Sequence, residues 1–281
     1  MNRSLTLTFL AFAFSVSLFA QQDAQQPRPQ TKSSQGLLKV NRLYYDLSAS
    51  TGGDFYFWAA GEFAAVAPID IPTGGEEVVL AYGTLSGAKT VFEIPVESGA
   101  RGLTIFCGIQ RKDLAVIVRP DGSPARHGDP GVKIQSFQHM TIATVESPAP
   151  GSWKLELVGA GLYSISAKLK AGTDAPSLDS FEFVERRGRP GHEGLFPIER
   201  TPKRGETLMA RGETSGTISK VSFSFVTGDG KPIARCPLTL QEGEWLGSCS
   251  VPAQPFRVTV AGVDGAGKPF RRIDSGLVTP E

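Results

Sequence analysis

From Lys89 onward, apolar and polar side chains alternate with a period of two, and Gly, Pro or Asp interrupts the pattern every few residues. Trp153, Leu155 and Leu157 alternate with Lys154 and Glu156; Tyr163, Ile165, Ala167 and Leu169 alternate with serine and lysine. Successive side chains of a strand point to opposite faces, so this pattern buries one face of a sheet and wets the other. A helix cannot satisfy it. The chain is therefore expected to be mainly β.

Strand candidates in the first stretch are Phe92–Val96, Leu103–Cys107, Leu114–Val118, Lys133–Gln138, Met140–Val145, Ser152–Val158 and Tyr163–Leu169. Pro120-Asp121-Gly122 and Asp129-Pro130-Gly131 supply turns. Residues 89–171 are thus predicted to form a first β-sandwich. A linker-like stretch, Ala171–Leu178, leads to Phe181–Val184, Thr207–Ala210, Val221–Val226, Ile233–Leu240, Glu244–Val251, Phe256–Val263 and Phe270–Ile273. Gly228-Asp229-Gly230 and Asp264-Gly265-Ala266-Gly267 read as hairpin turns. Residues 172–281 are immunoglobulin-like in size and rhythm.

The start of the chain is different. Met1–Ala20 has one basic residue, Arg3, an apolar run from Leu5 to Phe19, and a small residue before Gln21. This predicts a secretory signal over residues 1–20. The run is too short and too N-terminal for a membrane span. Residues 21–36, rich in Gln, Pro and Ser, read as a disordered leader. Residues 37–88 read as a small α+β segment. Val40, Leu43, Tyr44 and Leu47 recur at helical spacing before the stop Thr51-Gly52-Gly53. Asp54–Trp58 reads as a buried strand, Ala59–Val66 as a second short helix, and Val78–Tyr82 fits either state. Too small for a core of its own, this segment should pack on the first β-sandwich.

Lys and Arg number 29 against 28 Asp and Glu, so no global field draws nucleic acid or anionic membrane. The mature chain has no apolar run long enough to cross a bilayer. Of three cysteines, Cys236 and Cys249 flank a candidate hairpin loop, Gln241–Glu244. That loop sets Leu240 opposite Trp245 and, in the same register, Cys236 opposite Cys249. Opposed residues sit roughly 4.5–5.5 Å apart at Cα, close enough to bridge. An oxidising compartment would let the bond form, adding about 3 kcal/mol in the chain-entropy model. Cys107 alternates with Leu103 and Ile105 and reads as a buried thiol.

Taken in chain order, three groups of residues resemble the region after the von Willebrand A domain in hemicentin-type extracellular proteins. Leu43-Tyr-Tyr-Asp-Leu-Ser-Ala-Ser-Thr-Gly-Gly53 with Asp54-Phe-Tyr-Phe57 is similar to the last helix and strand of an A domain. Phe92-Glu-Ile-Pro-Val96 and Gly151-Ser-Trp-Lys-Leu-Glu-Leu157 are similar to a first β-module, and Pro255–Arg271 to the final hairpin of a second. The resemblance implies an extracellular, adhesive or structural role without catalysis. Most of an A domain is missing, so its metal-dependent binding does not carry over.

The residues that bear chemistry are few. Asp46, Ser48 and Ser50 match a D-x-S-x-S metal-adhesion pattern, but on a helix rather than at a strand end. Asp121, Asp129, Asp229 and Asp264 sit in Gly-rich turns, where aspartate serves backbone geometry. His127, His139 and His192 show no metal-ligand spacing, and no Gly-x-Ser-x-Gly elbow presents a nucleophile. Arg186, Arg187 and Arg189 form a basic loop that could grip a polyanion or simply face water. Tyr56 and Trp58, within a dense aromatic run, could form a sugar-stacking patch or part of a core.

These features predict two β-sandwich modules, the second immunoglobulin-like, behind a small α+β segment. The expected role is non-catalytic binding of a protein or surface component in the periplasm or outside the cell, with no cofactor, metal or nucleic acid. A carbohydrate-recognition module using Tyr56 and Trp58 is the alternative, and a secreted hydrolase the third reading.

Overall fold

The computed structural model describes residues 36–59, 75–189 and 191–281. The expected signal segment, all but the last residue of the expected leader, and the expected helix after Ala59 lie outside the described residues. The first sheet has six strands: β1 (Glu76–Ser86), β2 (Thr90–Val96), β3 (Gly102–Val118), β4 (Val132–Ser136), β5 (Met140–Glu146) and β6 (Gly151–Lys170). β6 pairs with β3 along most of its length, from Gly102↔Lys170 to Val118↔Lys154. Its other side carries β1 and then β2 end to end, Ser86↔Ala160 being followed by Thr90↔Leu157. β5 and β4 extend the sheet beyond the first half of β3.

The β3–β6 ladder slips at Ile109/Arg111 and Lys112/Leu114. At the same level the β1–β2 edge breaks at Gly87-Ala88-Lys89. Bulges bend a sheet and let its strands pass from one layer to the other, so this single sheet closes on itself as a sandwich. Glycine permits the corner: Gly161 has φ +85°, and a Cβ there would lie 2.6 Å from Gln110 Oε1. The gaps expected between strands at 108–113 and 159–162 are therefore bends within two long strands. Inside the sandwich, Ala81, Leu103, Ile105, Cys107, Ile165 and Ala167 meet Ile94, Ile117, Trp153, Leu155 and Leu157.

β1 belongs to this sheet, so the first module begins at Glu76 rather than Lys89. Its sequence fits two states because both faces are buried, Val79 and Ala81 inward, Leu80 and Tyr82 outward. α1 (Arg42–Thr51) and the extended chain 53–58 cover the outward face. The Asn41 side chain caps α1 by accepting from the Leu43 amide, and Gly52 ends it in the left-handed region. The apolar spacing gives the helix but misplaces its buried face. Leu43, Tyr44 and Leu47 stay exposed, and Tyr45 is buried, donating to the Tyr163 carbonyl at 2.8 Å. Asp54–Trp58 is extended but joins no ladder; it alternates Phe55 and Phe57 toward Tyr45, and Tyr56 and Trp58 toward Phe106.

The second module is a sandwich of two sheets. One contains β7 (Ser177–Arg187), β8 (Gly194–Pro197), β9 (Thr207–Ser215), β12 (Leu238–Gln241) and β13 (Glu244–Ser250); the other contains β10 (Ile218–Val226), β11 (Pro232–Cys236), β14 (Arg257–Asp264) and β15 (Pro269–Ile273). Phe181, Phe183, Phe223, Phe225 and Phe256 interlock edge-to-face between them. Ile233–Leu240, expected as one strand, is two. The chain changes sheets at Pro237, which cannot donate to a ladder.

The Cys236–Cys249 disulfide is present, with Cα atoms 4.9 Å apart, but by a different route from the one expected. Leu240 does face Trp245, and Leu238 faces Gly247. Because Pro237 ends that ladder, Cys236 pairs with Phe223 in one sheet and Cys249 with Leu208 in the other. The bond staples the two sheets through the core.

Where the modules meet, polar groups are buried. Arg272 of β15 donates to Glu97, the residue after β2, at 2.6 and 3.2 Å; the two residues are 1% and 0% exposed. Glu76 lies 3.5 Å from the same guanidinium. Arg257, fully buried, donates to the carbonyls of Ser275 at 3.0 Å, Gly228 at 3.3 Å and Ala49 of α1. Asp264 accepts from the Ser98 amide at 2.8 Å. These bonds join both modules and the covering helix into one unit, residues 36–281.

Removing one partner of a buried pair strands the other charge. Arg272→Met should therefore lower stability by about 3–5 kcal/mol in a urea titration. Replacing Arg272 and Glu97 together by Met and Leu should cost less. An unchanged midpoint for R272M would contradict the assignment.

Candidate functional site

The seam between the modules leaves a cleft of about 440 Å³, within the ~300–1,000 Å³ span of ligand clefts. One wall is β1 and β2, with Val79, Ala81, Val91, Phe92 and Tyr163; the other is the outer face of β10, β14 and β15 with the Asp229–Pro232 turn. Strand alternation makes this possible. Phe223, Phe225, Val258 and Val260 point into the second core, leaving Ser224, Val226, Thr259 and Ala261 for the cleft.

Its charged groups are held in place. Asp229 pairs with Lys231 at 2.7 Å and accepts from Thr227 Oγ1. Arg271 donates to the Glu93 carbonyl at 3.2 Å. Tyr163 stacks edge-on to Phe92, and burial, helped by Asp229, raises its pKa so that the phenol stays protonated. Val91 is 46% exposed, a large apolar side chain left in the open beside this cleft.

A second polar cluster joins β1, β6 and the covering chain. Lys168 Nζ lies 2.8 Å from Asp54 and 3.7 Å from Glu77, while Ser166 donates to Asp54 at 2.8 Å. Glu77 Oε1 is buried without a hydrogen-bond partner among the described residues. Burial outweighs the nearby lysine and pushes the Glu77 carboxyl up to about 8.

The residues singled out in the sequence fall elsewhere. Tyr56 and Trp58 lie near-parallel, 6.3 Å apart at 19°, but each is set edge-on against a ring of the first module, Phe106 and Phe137. Both are partly buried as a cover over the sheet. Asp46 accepts from Arg42 at 2.9 Å and Ser50 donates to the Leu47 carbonyl, while the helix turns Ser48 away from both. Asp121, Asp129 and Asp264 accept backbone amides of their own turns, from Ser123, Arg126 and Ala266. His139 is buried, His127 accepts from the Ile134 amide, and His192 lies in the loop before β8. Among the described residues, no three His, Cys, Asp or Glu side chains converge at metal-binding range. Arg186 and Arg187 sit beside Glu185, Glu193 and Glu199. Cys107 is fully buried, which pushes its thiol up to about 12.

Sequence reasoning missed Glu97, Arg257, Arg271 and Arg272. One signal was available: two arginines between Phe270 and Ile273 in a strand must point to opposite faces, so one of them meets a core.

No family model matches the chain, and no curated protein matches it. Among solved structures, a DUF4785 family protein from Legionella pneumophila is 13% identical, with TM-score 0.38, covering 74% of this chain and 66% of that one. A Bacillus licheniformis lipase in propeptide form is 12% identical, with TM-score 0.30; the match covers 76% of this chain and 48% of the lipase. The N-terminal Ig1-2 module of a Drosophila receptor protein tyrosine phosphatase is 11% identical, with TM-score 0.25, over 68% of this chain and 98% of that module. At these scores none of the three carries an inference about this chain. No helix among the described residues is long and apolar enough to cross a membrane.

The raised Glu77 carboxyl has a defined consequence for stability. Its ordinary value is 4.5, so the folded state holds the proton more tightly than the unfolded chain does. The stabilisation is complete below pH 4.5 and is lost as pH rises to about 8. Between these limits Glu77→Gln should remove a loss on the order of 2–4 kcal/mol. Urea midpoints measured across this range should fall for the wild type and stay flatter for E77Q; parallel curves would refute it.

Proposed function

We propose that this protein is an exported, non-catalytic binding protein that engages another protein or a surface component in the envelope or outside the cell. The cleft at the seam carries this reading. It combines an exposed apolar strand edge with charges already committed to one another, on two sandwiches joined by buried ion pairs. Such a site is suited to holding a partner in one orientation (surface complementarity on a rigid support), rather than to moving protons at a reacting bond. The sheet-stapling disulfide and the signal-like start of the chain support an oxidising destination. The hemicentin-type resemblance agrees with an adhesive or structural role.

A glycan partner is the second reading. The near-parallel Tyr56–Trp58 pair, partly exposed at the edge of the first module, favours it to that extent.

A photo-cross-linking residue placed at Val91 and expressed in the native cell tests the first reading. A discrete protein adduct is expected there, and none when the same group replaces Leu240, an exposed residue outside the cleft. Equal labelling from both positions, or none from Val91, would contradict it. Glycan binding lost on replacing Trp58 would favour the second reading instead.

A further inference from the structure

β2 is an edge strand: it pairs with β6 on one side, from Thr90↔Leu157 to Val96↔Gly151, and with no strand on the other. Alternate residues of such a strand direct both N–H and C=O away from the ladder. Two observations fix which residues these are. The Glu93 carbonyl accepts from Arg271 Nη1, so it points away from β6. Residue 95 is proline, which edge strands tolerate where the missing N–H would face outward. Val91, Glu93 and Pro95 therefore share the outward register. The amides of Val91 and Glu93 and the carbonyl of Val91 have no partner among the described residues.

The neighbouring stretch of the same edge already shows this kind of docking. In β1, the outward Tyr82 amide donates to the Gly228 carbonyl of the β10–β11 turn at 2.9 Å. Beyond Ser86 the contact stops and the cleft opens over β2. Its apolar surface comes from Val91, Phe92, Val226, Pro232 and Ala261. Of the two cations lining it, Lys231 is matched by Asp229, whereas Arg271 has no carboxylate within ion-pairing distance among the described residues. A partly buried guanidinium bonded only to a main-chain carbonyl keeps donors for a carboxylate.

Resting on the protein-binding reading above, we propose that the cleft takes an extended peptide segment of the partner. The segment adds to the free edge of β2, pairing with Val91 and Glu93, and sets an acidic side chain against Arg271 between apolar neighbours. Main-chain pairing supplies affinity in such strand addition, and the alternating side-chain pockets supply specificity. Unpaired strand edges of this kind are normally covered or blunted, and β2 is covered only by the single Arg271 contact.

A phage-displayed library of random octapeptides, panned against the whole chain, tests the proposal. The enriched sequences should share one Asp or Glu flanked by β-branched or aromatic residues. With the best synthetic octapeptide, Arg271→Gln should weaken binding at least about 10-fold, as expected for a lost charge-assisted pair. N-methylation along that peptide should cost a similar factor at alternate amides only, and this readout needs no protein variant. Enriched peptides without an acidic residue, unchanged affinity for a folded R271Q, or tolerance of every N-methylation would each overturn it. If Val91 cross-links a partner but no octapeptide is enriched, the strand-addition proposal fails and the cleft remains a partner site. If Val91 fails to cross-link as well, both readings fall.

Discussion

A carboxylate and a guanidinium taken out of water persist only when each occupies the other's hydrogen-bonding capacity. Glu97 and Arg272 meet that condition through two bonds, at 2.6 and 3.2 Å, in almost complete burial. The pair comes from different modules, so it sets the position of β15 against β1 and β2. Arg257 adds the covering helix to the same seam through the Ala49 carbonyl, and Asp264 takes the Ser98 amide. The cleft exists because this seam closes at its centre and stays open beside β2. Hydrophobic contact alone would allow the two sandwiches to slide; directional bonds to charged groups do not.

Each module uses a separate device to hold its own layers together. The first bends one long sheet at bulges and glycines, so that β3 and β6 contribute to both layers. The second starts from two sheets and ties them with the Cys236–Cys249 bond. The first module must also cover an outward apolar face, which explains the packing of α1 and the aromatic chain after it. That cover brings Asp54 to Lys168 and leaves Glu77 short of a partner.

The strands were legible in the sequence because burial on one face imposes a period of two, clearly so at Trp153–Leu157 and Val221–Phe225. Where both faces are buried, as in Val78–Tyr82, the period vanishes and the strand could not be told from a helix. The face of α1 was misread for a related reason. Three apolar residues at helical spacing suggest a buried stripe, but the hydroxyl of Tyr45 bonds the sheet and decides which side turns inward. The disulfide could be inferred from hairpin register, yet its path through the core depended on Pro237 moving the chain between sheets. The charged seam left almost no local trace. Glu97 and Arg272 lie 175 residues apart, and only tertiary packing brings them together.

Scanning calorimetry of the whole chain tests most directly whether buried charge pairs make the two sandwiches one cooperative body. A single transition, with equal calorimetric and van't Hoff enthalpies, is the predicted result. Two resolved transitions in the wild-type protein, one for each sandwich, would contradict it.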